Sequence, residues 1–276
     1  VCSSDLVVIF VEGAAPGEKV RVRITQQKSN FWEATLEEVL TPSPDRVTPP
    51  CPYFSECGGC QWQHLSYGAQ VAAKKEVFIH QLARATRTEP SIFEQITTIH
   101  PAQNPWGYRE RLQVRGDKTG VGFFKTGTRE LIHVDKCLVA HEDIQKHWTN
   151  FVATRPLAEL AAENRFKVEW TRSKTGAITE VFNKQNAALG FTQVNPEQNK
   201  VLVDLVTKIA NDAKHKNFLL DLYAGNGNLS QKLHPLFAKT LCVEAFGPGK
   251  PAKELAKATD KKLPRGLTHL AQRSEE

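Results

Sequence analysis

Between positions 20 and 25 apolar and polar residues alternate strictly: Val20, Val22 and Ile24 fall on one face, Arg21, Arg23 and Thr25 on the other. A period of two marks a half-buried strand. A β-rich run over residues 6–11 precedes it, Pro16-Gly17 supplies a turn, and residues 31–40 predict a further strand. Short strands with a basic outward face fit an OB-like barrel of the kind that grips nucleic acid. An ordinary solvated sheet face gives the same pattern. Pro42, Pro44, Pro49 and Pro50 then form a stiff connector and a predicted domain boundary. Residues 67–85 read as a helix and residues 92–189 as a mixed α/β stretch. That stretch includes the strand Tyr108-Arg109-Glu110-Arg111-Leu112-Gln113-Val114-Arg115, with Arg111, Gln113 and Arg115 on one side. From Gly190 onward the texture becomes that of an α/β nucleotide-binding domain.

The chemistry begins after the proline connector. Cys51, Cys57 and Cys60 lie in CPYFSECGGC, and Cys137 ends the strand-like ELIHVDKC. The C-x5-C-x2-C spacing keeps three thiols on one tight loop, and Gly58-Gly59 lets the backbone fold around a bulky ligand. Three clustered cysteines and one remote one suit a 4Fe-4S cluster. Structural zinc more often shows two paired knuckles, and only one C-x2-C occurs here, but spacing does not separate the two metals. His64 is expected to be a polar loop residue, and Cys242, within Thr240-Leu241-Cys242-Val243, a buried core thiol.

A second constellation lies nearer the C-terminus. Residues 217–222 predict a buried parallel strand running into Tyr223-Ala224-Gly225-Asn226-Gly227-Asn228 and a helix beginning near Leu229. Such a strand, glycine turn and helix start let a cofactor approach the backbone closely. Another apolar strand, residues 240–243, ends at Glu244, an acid placed to accept from ribose hydroxyls. The third glycine of the dinucleotide fingerprint is replaced by Ser230, which favours an adenosine cofactor such as S-adenosylmethionine over NAD. Upstream, Asn195 suits a helix N-cap, Pro196 the first helical position and Gln198 a capping partner; Gln193 is left for another task.

Composition adds little by itself. The 276 residues carry 36 Lys and Arg against 30 Asp and Glu, a net charge of +6, which favours a polyanionic partner only where charge is clustered. No apolar run is long enough to span a bilayer and no secretory signal opens the chain, so a cytoplasmic protein is expected. The absence of Met, together with an opening VCSSDL that looks like translated adapter sequence, leads to the expectation that the chain is a fragment of a bacterial protein.

Taken together, PGEKVRVRI, SPDRVTPPCPYFSECGGCQWQHL, YRERLQVR, VGFFKTGTRELIHVDKC, FTQVNPEQN and DLYAGNGNLS resemble the RNA (uracil-5-)-methyltransferase family, in the family's order. The resemblance implies a multi-domain α/β protein. Residues 1–46 would be an OB-like TRAM barrel for RNA and residues 47–189 a central α+β iron–sulfur domain. Residues 190–276 would be a truncated Rossmann-like methyltransferase domain. It implies a 4Fe-4S cluster on Cys51, Cys57, Cys60 and Cys137. It assigns S-adenosylmethionine contacts to Gln193, Tyr223, Asn228 and Glu244. The implied partner is RNA, 23S ribosomal RNA before transfer RNA, and a monomer is expected. In the family a thiolate attacks C6 of uracil, C5 takes the methyl group and a base removes the C5 proton. The nucleophilic cysteine and base belong to a part of the family's domain beyond Glu276, so no catalytic residue is expected here and the chain alone is expected to be inactive. A non-catalytic RNA-binding module and a zinc protein of another class are the alternatives.

Overall fold

The computed structural model describes residues 7–161, 165–183, 193–225 and 227–243. The first elements are β1 (Ile9–Glu12), β2 (Lys19–Gln27), β3 (Trp32–Thr41), α1 (Tyr67–Thr86) and α2 (Pro90–Ile96). Next come β4 (Arg111–Gly116), β5 (Val121–Phe124), β6 (Leu131–His133), α3 (Glu142–Thr154) and α4 (Leu157–Leu160). The last are β7 (Phe166–Arg172), β8 (Ile178–Phe182), α5 (Pro196–Asp212), β9 (Leu219–Leu222), α6 (Ser230–Leu233) and β10 (Thr240–Val243). They gather into two compact units. One contains the residues up to Pro101 together with Gly120–Cys137; the other contains Ala102–Thr119 and the residues from Leu138 onward.

In the first unit β3 is the central strand, parallel to β1 and antiparallel to β2. Val20, Val22 and Ile24 face inward and Arg21 and Arg23 outward, as their alternation requires. The expected closed barrel is not formed by the described residues: they supply three strands here, too few to close a sheet on itself. Glu18 locks this sheet to the proline-rich segment. Its carboxylate accepts from Ala15 N (2.8 Å), Ser43 N (3.2 Å) and Arg46 Nη2 (2.6 Å), while Arg46 Nη2 also donates to Gly13 O (2.7 Å). The Glu18 side chain is 1% exposed. The connector is thereby pinned, and Arg46 bridges to Leu65 just ahead of α1. Ser66 caps α1, its Oγ accepting from Ala69 N at 3.2 Å.

In the second unit β4, β7 and β8 form an antiparallel sheet, with Leu112 opposite Trp170 and Val168 opposite both Val114 and Phe182. The amphipathic α3 covers one face through Ile144, Trp148 and Phe151, all essentially buried. Trp148 and Phe151 stand 5.4 and 5.3 Å from Trp170, ring centre to ring centre. On the other face Arg111 pairs with Glu169 at 2.8 Å and Gln113 reaches the same carboxylate at 3.4 Å.

Farther along, β9 and β10 pair in parallel, Leu219 beside Thr240 and Leu222 beside Val243. A parallel pair needs a crossover, here through α6, which is the handed unit of nucleotide-binding domains. Two expectations change. The strand over residues 217–222 is not buried on both faces: Phe218, Leu220 and Leu222 are about half exposed, and β10 is the neighbour of β9 among the described residues. Cys242 is half-buried instead of a sealed core thiol. Residues 244–276, the end of the segment that the resemblance assigns to a methyltransferase domain, lie outside the described residues.

Candidate functional site

Two sites are built by these elements, one in each unit. In the first, the cysteine loop is held by its own backbone and by β5. Cys57 N donates to Tyr53 O (2.7 Å), Cys51 N donates to the buried Gln63 Oε1 (3.2 Å), and Gly58 N donates to Phe124 O (3.0 Å). A Cβ at position 58 would meet that same oxygen at 3.1 Å, so the close approach of loop to strand favours glycine. Thr126 N donates back to Glu56 O, and Lys125 pairs with Glu56 and Glu130. An open cavity of about 410 Å³ lies between Gly58, Gly59 and Gln61 on one side and Phe123, Phe124 and Lys125 on the other.

Cys51, Cys57, Cys60 and Cys137 are all half-buried and free of disulfides. Burial raises the Cys57 thiol above its ordinary range, Gly59 N opposes this at 3.4 Å from Sγ, and the neighbouring Cys60 and Cys51 raise it further. The remote thiol is tied to the same loop: Tyr53 OH donates to Asp135 Oδ1 at 2.8 Å, joining a residue two past Cys51 to a residue two before Cys137. That contact raises the Tyr53 phenol. Among the described residues no three His, Cys, Asp or Glu side chains converge closely enough to hold a metal ion. The donors are gathered on one loop and its tethered neighbour without forming a closed coordination shell. His64 lies in the turn ahead of α1 as expected, but it is buried there, its Nε2 3.3 Å from Ala14 O and its ring 5.9 Å from Phe54.

In the second unit, β9 delivers the chain into a turn of unusual backbone. Tyr223 has φ 58°, Gly225 φ 54° and Gly227 φ 77°. For tyrosine the left-handed region costs about 1 kcal/mol, and residues held there cluster at functional turns. Its side chain stands 86% exposed. The turn is closed by Ala224 N to Val243 O (3.1 Å) and Gly227 N to Ala224 O (2.8 Å). Ser230, where a dinucleotide fingerprint has glycine, is fully buried beneath it. The start of α5 supplies the second wall. Asn195 Oδ1 accepts from Gln198 N at 3.0 Å and Pro196 occupies the first turn, as their order predicts. Gln193 precedes this cap and is exposed, and its neighbour Val194 is anchored by Glu110 N to Val194 O (3.2 Å). Asn228 is exposed, and its amide exchanges two hydrogen bonds of 2.8 Å with that of Asn199. Glu244 lies outside the described residues.

Sequence reasoning passed over Asp221. Its Oδ2 is sealed from solvent and has no hydrogen-bond partner among the described residues, near the end of the strand that feeds the turn. The signal was available, an acid on a strand two residues before a glycine turn. A buried carboxylate oxygen without a partner marks a place where a donor is wanted.

The outward arginines of the first unit are also placed differently from a bare basic face. Arg21 pairs with Glu38, Arg23 with Glu37 (3.0 Å) and Lys28 with Glu33 (2.7 Å). Over residues 7–46, five cations (Lys19, Arg21, Arg23, Lys28, Arg46) meet six acids (Glu12, Glu18, Glu33, Glu37, Glu38, Asp45). Exposed pairs of this kind are weak, and phosphates can compete for the arginines. Among the described residues no helix is long and apolar enough to cross a membrane.

Known proteins are similar to this chain over much of its length. Residues 5–36 match the TRAM domain. The chain is 31% identical over 273 residues to an uncharacterised RNA methyltransferase of Bdellovibrio bacteriovorus, covering 95% of this chain and 66% of that one. RNA methyltransferases of Halalkalibacterium halodurans (33% over 191 residues, 68% of this chain) and Aquifex aeolicus (36% over 138 residues, 50% of this chain) are similar too. The chain spans 40% and 32% of the length of these last two. Among solved structures, the Pyrococcus abyssi tRNA (uracil-54, C5)-methyltransferase in complex with S-adenosyl-L-homocysteine shares the fold. Its TM-score is 0.64 at 18% identity, over 91% of this chain and 71% of that one. With its TRAM match and its identity to RNA methyltransferases along most of its length, the chain belongs to the RNA methyltransferase family and spans part of the length of its relatives.

Proposed function

We propose that the chain is part of an S-adenosylmethionine-dependent enzyme that forms 5-methyluridine in RNA. The observation that carries this is the β9–turn–α6 unit, with Tyr223 in a strained backbone and the first turn of α5 bonded to it through Asn199 and Asn228. Gln193, Tyr223 and Glu244 would hold the adenosyl cofactor, and the sealed Asp221 would order the turn. The TRAM-matched sheet would contribute RNA affinity, with Arg21 and Arg23 exchanging glutamates for phosphates. The proposed segments are residues 1–46, 47–189 and 190–276, with catalytic cysteine and base supplied outside this chain.

Cys51, Cys57, Cys60 and Cys137 would hold a 4Fe-4S cluster. The fit rests on the donor set, on the placement of three of its thiols on one loop and on the Tyr53–Asp135 tether to Cys137. The cluster would act as a structural clasp of the first unit; no step of methyl transfer needs it.

23S ribosomal RNA is the first substrate proposed. Transfer RNA is the second, favoured by the likeness in fold to the archaeal enzyme named for its action on tRNA. The test uses a protein extended to the length of its relatives, labelled S-adenosylmethionine, and 23S and tRNA transcripts, with the modified nucleoside mapped by mass spectrometry. Label in 23S RNA is expected; label at a tRNA uridine reverses the order, and label in neither overturns the proposal. Residues 1–276 alone are expected to transfer nothing.

A further inference from the structure

Resting on the proposed adenosyl site, we infer that Asn228 is a positioning residue rather than a cofactor contact, and that Asn199 is its partner. The two halves of that site come from separate stretches of chain, Gln193 and the α5 cap on one side and Tyr223 to Gly227 on the other. The amide pair links them. Asn199 Nδ2 donates to Asn228 Oδ1 and Asn228 Nδ2 donates to Asn199 Oδ1, both at 2.8 Å. A cyclic pair uses one donor and one acceptor from each amide, so each residue fixes the rotamer of the other.

Its placement gives it leverage. Asn199 sits in the first turn of α5, where its own N–H donates to Asn195 O at 2.9 Å. Asn228 sits between Gly227 and Ser230, where Gln231 N donates to Gly227 O at 3.0 Å. The turn carries two glycines and a tyrosine at positive φ, a region that tyrosine populates sparsely and that glycine enters only at the cost of its wide freedom in the unfolded chain. A short α6 of four residues is too small to hold it alone. The pair therefore docks the turn on a helix of 17 residues and presets it for a ligand. Order set in advance raises ligand affinity without any contact to the ligand.

The test is a double-mutant cycle on the whole chain: N199A, N228A and both together. The first readout is amide hydrogen exchange at Gly227 and Gln231; the second is affinity for S-adenosyl-L-homocysteine by calorimetry. Each single variant is expected to speed exchange at the turn about five- to tenfold and weaken the ligand by a similar factor, with the double variant no worse than either single. N199D, which keeps one of the two bonds, should fall between. Exchange at Val168 and Trp170 should not move. Unchanged exchange at the turn, or effects that add in the double variant, would overturn the pairing. Faster exchange with unchanged affinity would return Asn228 to an ordinary surface role. If the unaltered chain binds no S-adenosyl-L-homocysteine, the adenosyl reading itself fails and exchange alone decides the pair.

Discussion

Purified without oxygen, the chain is expected to be brown and to carry about four iron and about four sulfide, and Cys137→Ala to lose most of both. The size of this loss comes from geometry. Cys51, Cys57 and Cys60 sit on one loop and offer three thiolates; the fourth comes from Cys137, far along the chain. Removing it opens one iron to solvent, where exposed clusters are labile. Tyr53→Phe is the informative companion, because it deletes the hydrogen bond to Asp135 and leaves every thiol in place. It should lower iron retention less than Cys137→Ala does. Metal analysis with absorption near ~400 nm checks both variants. Stoichiometric zinc in place of iron and sulfide would refute the cluster.

The second large effect is on folding. Glu18→Gln is expected to destabilise the first unit by about 3 kcal/mol at neutral pH, since it leaves the partly buried Arg46 facing an uncharged partner. The hydrogen-bonded Arg46 guanidinium, with the Ala15 and Ser43 amides, holds the Glu18 carboxyl well below its ordinary 4.5, at about 2, against the opposing push of burial. A carboxyl whose folded value is depressed stabilises the fold above its unfolded value, and that stabilisation disappears as pH falls from about 4.5 towards 2. The gap between the two proteins should therefore be widest at neutral pH and should narrow below about 4.5. Urea midpoints at about pH 7 and about pH 3 test this. An equal gap at both would mean that the charge of Glu18 contributes nothing.

The sequence was most informative where local chemistry is strict. The alternation of Val20, Arg21, Val22 and Arg23 fixed a strand and its two faces. Asn195-Pro196 fixed a helix start to the residue, because a cap satisfies amides that nothing else can reach. The glycine turn after residues 217–222 was legible for the same reason, since its backbone needs residues that tolerate positive φ. What stayed hidden depends on partners distant in sequence. Alternation put Arg21 and Arg23 on the outer face but gave no hint that β3 would bring Glu37 and Glu38 opposite them. His64 was legible as a loop residue, but its burial against Ala14, 50 positions away, was not. That Asn228 would bond to Asn199, 29 positions away on α5, was not legible from the turn in which it sits. Asp221 was visible as a letter, but its sealed oxygen depends on how the strand end packs.

The uracil-5 reading is tested most directly by the fate of one hydrogen. RNA carrying tritium at uridine C5 is incubated with S-adenosylmethionine and the protein at the full length of its relatives. Bonding a methyl group to C5 expels the hydrogen already there, so the predicted result is tritium released to water in step with methyl groups gained, at a ratio of about unity. Methyl groups accumulating in the RNA while the tritium stays bound would place the transfer on a different atom and contradict the account.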